Sequence, residues 1–150
     1  MVSFPVALVF MLAQSVTQSP SVIFVCEHGA AKSVIATAYF NKLAAERGLS
    51  YRATFRGTSL QDDLSTRAVA GLRADGIAIP DGKPSAIAPA DVTRATHIFA
   101  IGCTLPSVAA KSGKAADWND VPDDQGYGPM RDAIVRHVTV LLDDLQKRRQ

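Results

Sequence analysis

The stretch SVIFVC, Ser21 to Cys26, and the turn that continues it, Glu27-His28-Gly29-Ala30-Ala31-Lys32-Ser33, decide how the rest of the chain is read. An uncharged run of β-branched and aromatic residues bounded by Pro20 and a glycine turn predicts a short parallel strand buried on both faces. From Ala30 to Arg47, Ile35, Ala38, Tyr39 and Leu43 recur at i, i+3, i+4 and i+8, one face of a helix that Gly48 stops. Tyr51 to Arg56 reads as a second strand. Ser65 opens a helix through about Ala74, with Val69 and Leu72 facing inward and Gly76 ending it. The prolines and glycines from Gly76 to Asp91 predict a stretch that is mostly loop. Thr96 to Cys103, THIFAIGC, is a third strand, and a last helix from about Pro129 to Lys147 lines up Ile134, Val138, Leu141, Leu142 and Leu145. Strands alternating with helices in this way predict an α/β domain, a parallel sheet with helices on both faces.

The chain has 150 residues, 47% hydrophobic and 20% charged, enough for a single domain with a proper core. Two cysteines exclude a multi-bridge disulfide framework. Three histidines, with no Cys-x-x-Cys or His-x-x-x-His spacing, argue against a bound zinc. Sixteen basic and fourteen acidic residues, interspersed along the chain, leave a net charge of +2, too little for a nucleic-acid partner. The basic cluster Lys147-Arg148-Arg149 closes the last helix, where cations suit the negative end of the dipole. Residues 1–19 stand apart. They carry no charged side chain, and Phe4 to Ala13 is apolar apart from Pro5. That run is too short to span a membrane but matches the apolar stretch of a secretory signal, although no Lys or Arg precedes it. The expected division is therefore an N-terminal segment, 1–19, and a domain, 20–150. A signal implies a periplasmic or secreted protein, and its absence a cytoplasmic one.

In open α/β sheets ligands gather beyond the carboxyl ends of the strands, which puts Cys26 at the expected site. Backbone N–H groups of a loop wrapped around a helix N-terminus have no intrahelical partner and form an anion pocket. A free thiol titrates near ~8.5, but at a helix N-terminus or beside a cation it can fall to roughly 3.5–7.5. Lys32 supplies a cation where the helix dipole disfavours one, which calls for a compensating anion, and Ser33 supplies a hydroxyl for the sulfur. The pattern fits a thiolate nucleophile under an oxyanion; read residue by residue, it also fits an inert thiol buried at a strand end with Lys32 and Ser33 as ordinary residues of a first helical turn.

VIFVCEHGAAKS before an apolar helix, FRGTS closing the second strand, GLRADGI ending the next helix, IFAIGC and a late Asp-rich loop together resemble the low-molecular-weight protein tyrosine phosphatase superfamily, which includes thiol-linked arsenate reductases. The resemblance runs from Val22 to Leu145. It implies a three-layer, phosphotyrosine phosphatase I-like fold with a four-stranded parallel sheet flanked by helices, and no metal or organic cofactor. It implies that Cys26 attacks phosphorus, that Glu27, His28, Gly29, Ala30, Ala31 and Lys32 cradle the phosphoryl group, that Ser33 hydrogen-bonds the thiolate, and that a late aspartate protonates the leaving group.

Three positions depart from the family pattern. Lys32 replaces an arginine and cannot make the two-pronged contact of a guanidinium with two phosphoryl oxygens. Gly29 replaces a bracing asparagine, for which His28 can compensate. No Asp-Pro occurs in Trp118-Asn119-Asp120-Val121-Pro122-Asp123-Asp124; Asp120, before Val-Pro, is the first choice of acid and Asp123 the alternative. Tyr127 and Trp118 are candidates for an aromatic pocket wall. Cys103 stands where the arsenate reductases place a resolving thiol, and is otherwise a small buried hydrophobe. Three functions follow: a phosphomonoester, protein tyrosine, phosphatase acting through a thiophosphate; a thiol-coupled arsenate reductase served by a thiol reductant; and a non-catalytic oxyanion-binding module. The partners implied are a phosphorylated protein or a small oxyanion, with no membrane partner.

Overall fold

A computed structural model describes residues 19–150. The expected N-terminal segment therefore lies, apart from Ser19, outside the described residues. Four strands, β1 (Ser21–Cys26), β2 (Arg52–Gly57), β3 (Ala95–Ala100) and β4 (Ala115–Asp117), form a single sheet in the order β2-β1-β3-β4, parallel throughout. The helices are α1 (Lys32–Glu46), α2 (Thr66–Ala74), α3 (Pro89–Arg94), α4 (Ser107–Ala110) and α5 (Tyr127–Arg148).

β1 is central because it has something apolar to bury on each face. Val22 and Phe24 enter the core under α1 and α5, while Ile23 and Val25 enter a smaller cluster with Val92 of α3, Ile98 of β3 and Ala109 of α4. The chain is thus three layers deep. Phe24 anchors the larger core, with ring centroids 5.8 Å from Phe40, 5.7 Å from Phe99 and 5.3 Å from Trp118. Trp118 is accordingly a core residue, 6% exposed, and the small cavity it lines is shared with His97 and His137, away from Cys26. The last helix buries the stripe its spacing predicts, extended at its start by Met130 and Ala133. In α2 the buried pair is Ala68 and Leu72, with Val69 only half-buried.

Other boundaries differ from the sequence expectation for local reasons. The stretch from Gly76 to Asp91 ends in α3, which starts on Pro89; the carboxylate of Asp91 accepts from the Ala88 N–H at 2.9 Å and takes a forked contact from Arg56. β3 stops at Ala100 because Gly102, at φ +65°, turns the chain away. The outer edge of β2 is occupied by a side chain: Asn41 donates to the Ala53 C=O at 3.1 Å and accepts from the Ala53 N–H at 2.8 Å. Further along the same edge, Gly57 pairs with Ser85 and Ile87.

Strand order reverses at β1, which lies between β2 and β3, so the crevice beyond the carboxyl ends of β1 and β3 is the switch point of the sheet. Cys26 is the last residue of β1 and opens onto it.

Candidate active site

The loop from Cys26 to Ser33 is folded by its own main chain. The Glu27 C=O accepts from the N–H groups of Thr58 at 2.9 Å and Ser59 at 2.7 Å, and the Ala30 C=O accepts from Ser65 N–H at 2.9 Å. Gly29 adopts φ +61° and lies directly on Gly57. A Cβ on Gly57 would stand 2.6 Å from the Gly29 nitrogen, so the approach requires glycine there. His28 adds a bracing contact, Nδ1 to the Ser59 carbonyl at 2.8 Å, while its ring stays exposed. With the carbonyls turned outward to these partners, the N–H groups from Glu27 to Ser33 make no hydrogen bond to protein among the described residues. The first turn of α1 has no side-chain cap and no acidic residue. An oxyanion fits such a ring of donors.

Inside the loop, Cys26 is buried and its Sγ lies 3.0 Å from the Ser33 hydroxyl, itself fully buried. Lys32 is 7% exposed, and its Nζ lies 2.7 Å from Oδ1 of Asp123. The ammonium rests against Gly102, where a Cβ would stand 2.6 Å from Nζ. The turn that ends β3 therefore makes room for the cation, through a residue that sequence reasoning passes over. Asp123 is itself exposed and reaches in from the segment between β4 and α5.

The two candidate aspartates are far from equivalent. Asp120 points away to α5, where the Nε2 of His137 lies 2.6 Å from its Oδ1, and that contact holds its carboxyl below the usual range. The structure brings Asp123, not Asp120, to Lys32. Tyr127 is the first residue of α5; with Ala31, Ile35, Ser65 and Asp123 it lines a cavity of about 210 Å³. Its hydroxyl donates to Asp75 at 2.7 Å, as does Tyr39 at 2.6 Å, and Arg131 reaches the same carboxylate at 3.0 Å. Those donors, Tyr39 first, lower the Asp75 pKa, and burial followed by Asp75 itself pushes Tyr39 up to about 12. A roomier cavity, about 660 Å³ between α1, β2 and the loop around Pro80, contains no thiol.

Cys103 is half-buried just past Gly102, and its thiol donates to the Val25 C=O at 3.4 Å, next to Cys26. Burial, and then the neighbouring Cys26, push it up to about 11. Both cysteines are free.

Known proteins share this architecture. The crystal structure of YfkJ from Bacillus subtilis superposes with a TM-score of 0.75 at 21% identity, covering 91% of this chain and 100% of that one. A low molecular weight protein tyrosine phosphatase from Bacillus subtilis gives 0.74 at 19%, covering 87% and 99%. A thioredoxin-dependent arsenate reductase from Corynebacterium glutamicum gives 0.63 at 19%, covering 89% of this chain and 63% of the other. Identities this low speak for the fold alone. Among curated proteins no sequence matches. The family model for low molecular weight phosphotyrosine protein phosphatase, however, matches residues 21–116, from the first residue of β1 into β4. A loop of donors closed around a buried thiol, carried on this sheet and within that match, makes the chain a member of the low molecular weight phosphotyrosine protein phosphatase family.

Proposed function

We propose that the protein is a cysteine-dependent phosphatase of phosphomonoesters, aryl esters first among them, with Cys26 as nucleophile and Asp123 as general acid. The reading rests on one observation above the others, the 2.7 Å contact that holds a carboxylate at the rim of the thiol-bearing loop through Lys32. The phosphoryl oxygens take the N–H groups of the loop and the Lys32 ammonium, and the Ser33 hydroxyl donates to the sulfur. The thiolate attacks phosphorus as the P–O ester bond breaks, and Asp123 passes its proton to the leaving oxygen. Water then attacks the thiophosphate and gives a proton back to Asp123, the S–P bond breaks toward sulfur, and phosphate leaves. Assigning the acid to Asp123 replaces the first choice made from sequence, Asp120, whose carboxylate is engaged by His137. The cavity beside Asp123, with Tyr127 on its wall, has room for an aryl leaving group.

The position of Cys103 supports a second reading, arsenate reduction. There the Cys26 thiolate attacks arsenic, a protonated arsenate oxygen leaves as water to give an As–S bond, and the Cys103 thiolate then attacks the Cys26 sulfur. The As–S electron pair goes to arsenic, arsenite leaves, and a thiol reductant reopens the disulfide. A thiol pushed up to about 11 is a poor attacking group at neutral pH, which ranks this reading second. Reduced protein assayed in parallel separates the two. Turnover of p-nitrophenyl phosphate that falls to background in Cys26→Ala and persists in Cys103→Ala supports the phosphatase. Arsenate-dependent thiol consumption lost in Cys103→Ala supports the reductase. Phosphate binding with neither activity reduces the protein to an oxyanion-binding module.

A further inference from the structure

Asp123 reaches Lys32 on a segment with little main-chain support. Trp118 N–H donates to the Ala100 C=O at 2.7 Å, but from Asn119 to Gln125 no residue makes a backbone–backbone hydrogen bond among the described residues. Side chains must place this segment. Trp118 is packed 4.8 Å from the Phe99 ring, Val121 is 7% exposed, and between them Asp120 is drawn to His137. The imidazole is itself fixed. It lies flat on the Trp118 indole, centroids 4.7 Å apart and planes 12° from parallel, and it projects from a turn of α5 whose neighbours Ile134, Val138 and Leu141 are buried.

From this geometry we infer that His137 is a positioning residue: stacked on Trp118 and bonded to Asp120, it fixes the segment so that Asp123 stands over the loop of Cys26. The inference rests on Asp123 being the general acid. Imidazole and Asp120 never touch the substrate. They set where a proton donor three residues further on is held, and a misplacement on the order of 1 Å can cost about 10²-fold in rate.

A proton donor matters most when the leaving group is poor, so phenyl phosphate and p-nitrophenyl phosphate are the probes. In Asp123→Asn, kcat on phenyl phosphate is expected to fall about 10²- to 10⁴-fold, with a much smaller loss on p-nitrophenyl phosphate. His137→Ala is expected to show the same discrimination on a smaller scale, about 10-fold on phenyl phosphate with KM unchanged. His137→Gln, which keeps a donor for Asp120, restores most of it. Asp120→Ala, a change at an exposed loop position that does not disturb α5, reproduces His137→Ala, and the double variant is no worse than either single one. If Asp123→Asn discriminates between the esters and His137→Ala lowers both equally or neither, the positioning role is overturned while the acid assignment stands. If Asp120→Ala discriminates more strongly than Asp123→Asn, Asp120 is the acid and both are overturned. Both are likewise overturned if no variant discriminates, or if the intact protein turns over neither ester.

Discussion

Between Cys26 and Ser33 the chain is shaped by main chain against main chain, Gly29 on Gly57 and carbonyls turned outward onto Thr58, Ser59 and Ser65. Between Trp118 and Tyr127 it is held by side chains, an indole, an imidazole, an ammonium and a phenol. The contrast separates two kinds of tolerance. In the first loop the side chain of Glu27 is exposed and can vary, but a Cβ added at Gly57 has nowhere to go. In the second, the spelling can drift away from Asp-Pro so long as partners elsewhere keep hold of it. This is why the loop can be recognised from its sequence and the aspartate that meets Lys32 cannot.

Gly57→Ala puts the comparison under the heaviest load. Its Cβ meets the Gly29 backbone, so overpacking of about 1–3 kcal/mol is expected, read as a lower Tm. A loop pushed out of place should also cost about 10²-fold in phosphatase turnover. A variant with unchanged turnover would show that the glycine contact does not shape the loop. Asp75→Asn tests the far end of the second segment, where the carboxylate gathers Tyr39, Tyr127 and Arg131. A loss of roughly 1–3 kcal/mol in denaturant unfolding is expected, with a smaller effect on turnover than that of Gly57→Ala. The sign with pH follows from a folded pKa that lies below the unfolded one. The contribution of Asp75 is present above the unfolded value of about 3.9 and is lost as pH falls through the folded value. The stability of Asp75→Asn should therefore change less on acidification than that of the parent protein. An equal pH dependence would remove Asp75 as the hub. Lys32→Arg is the smallest change. Gly102 leaves space beside the ammonium, and a guanidinium that grips two phosphoryl oxygens should raise turnover severalfold. A lower rate in steady-state assays would mean that the Lys32 contact with Asp123 matters more than its grip on phosphate.

The long elements were legible because each buries a periodic apolar face: β1, with both faces covered, and the stripe of α5 from Ile134 to Leu145. The short ones were not. β4 is Ala115–Asp117 and carries no apolar signal, and α4 is a single turn. α3 hides in a Pro/Gly-rich stretch where its start is marked only by Pro89 and Asp91. Of the site, Cys26, Lys32 and Ser33 could be named because they are neighbours in sequence at a strand-to-helix turn. The separation of Asp120 from Asp123 depends on His137 and Lys32, which lie far away along the chain, and no local pattern encodes it. The close approaches of Gly57 to Gly29 and of Gly102 to Lys32 likewise exist only once β1, β2 and β3 are side by side.

Asn41 has a consequence beyond this one domain. By offering its carboxamide to both backbone groups of Ala53, it stands in for the peptide unit of a neighbouring strand at the border of the sheet. With Ser85 and Ile87 performing the same service at Gly57, a second molecule finds few free partners there from which to grow an intermolecular sheet.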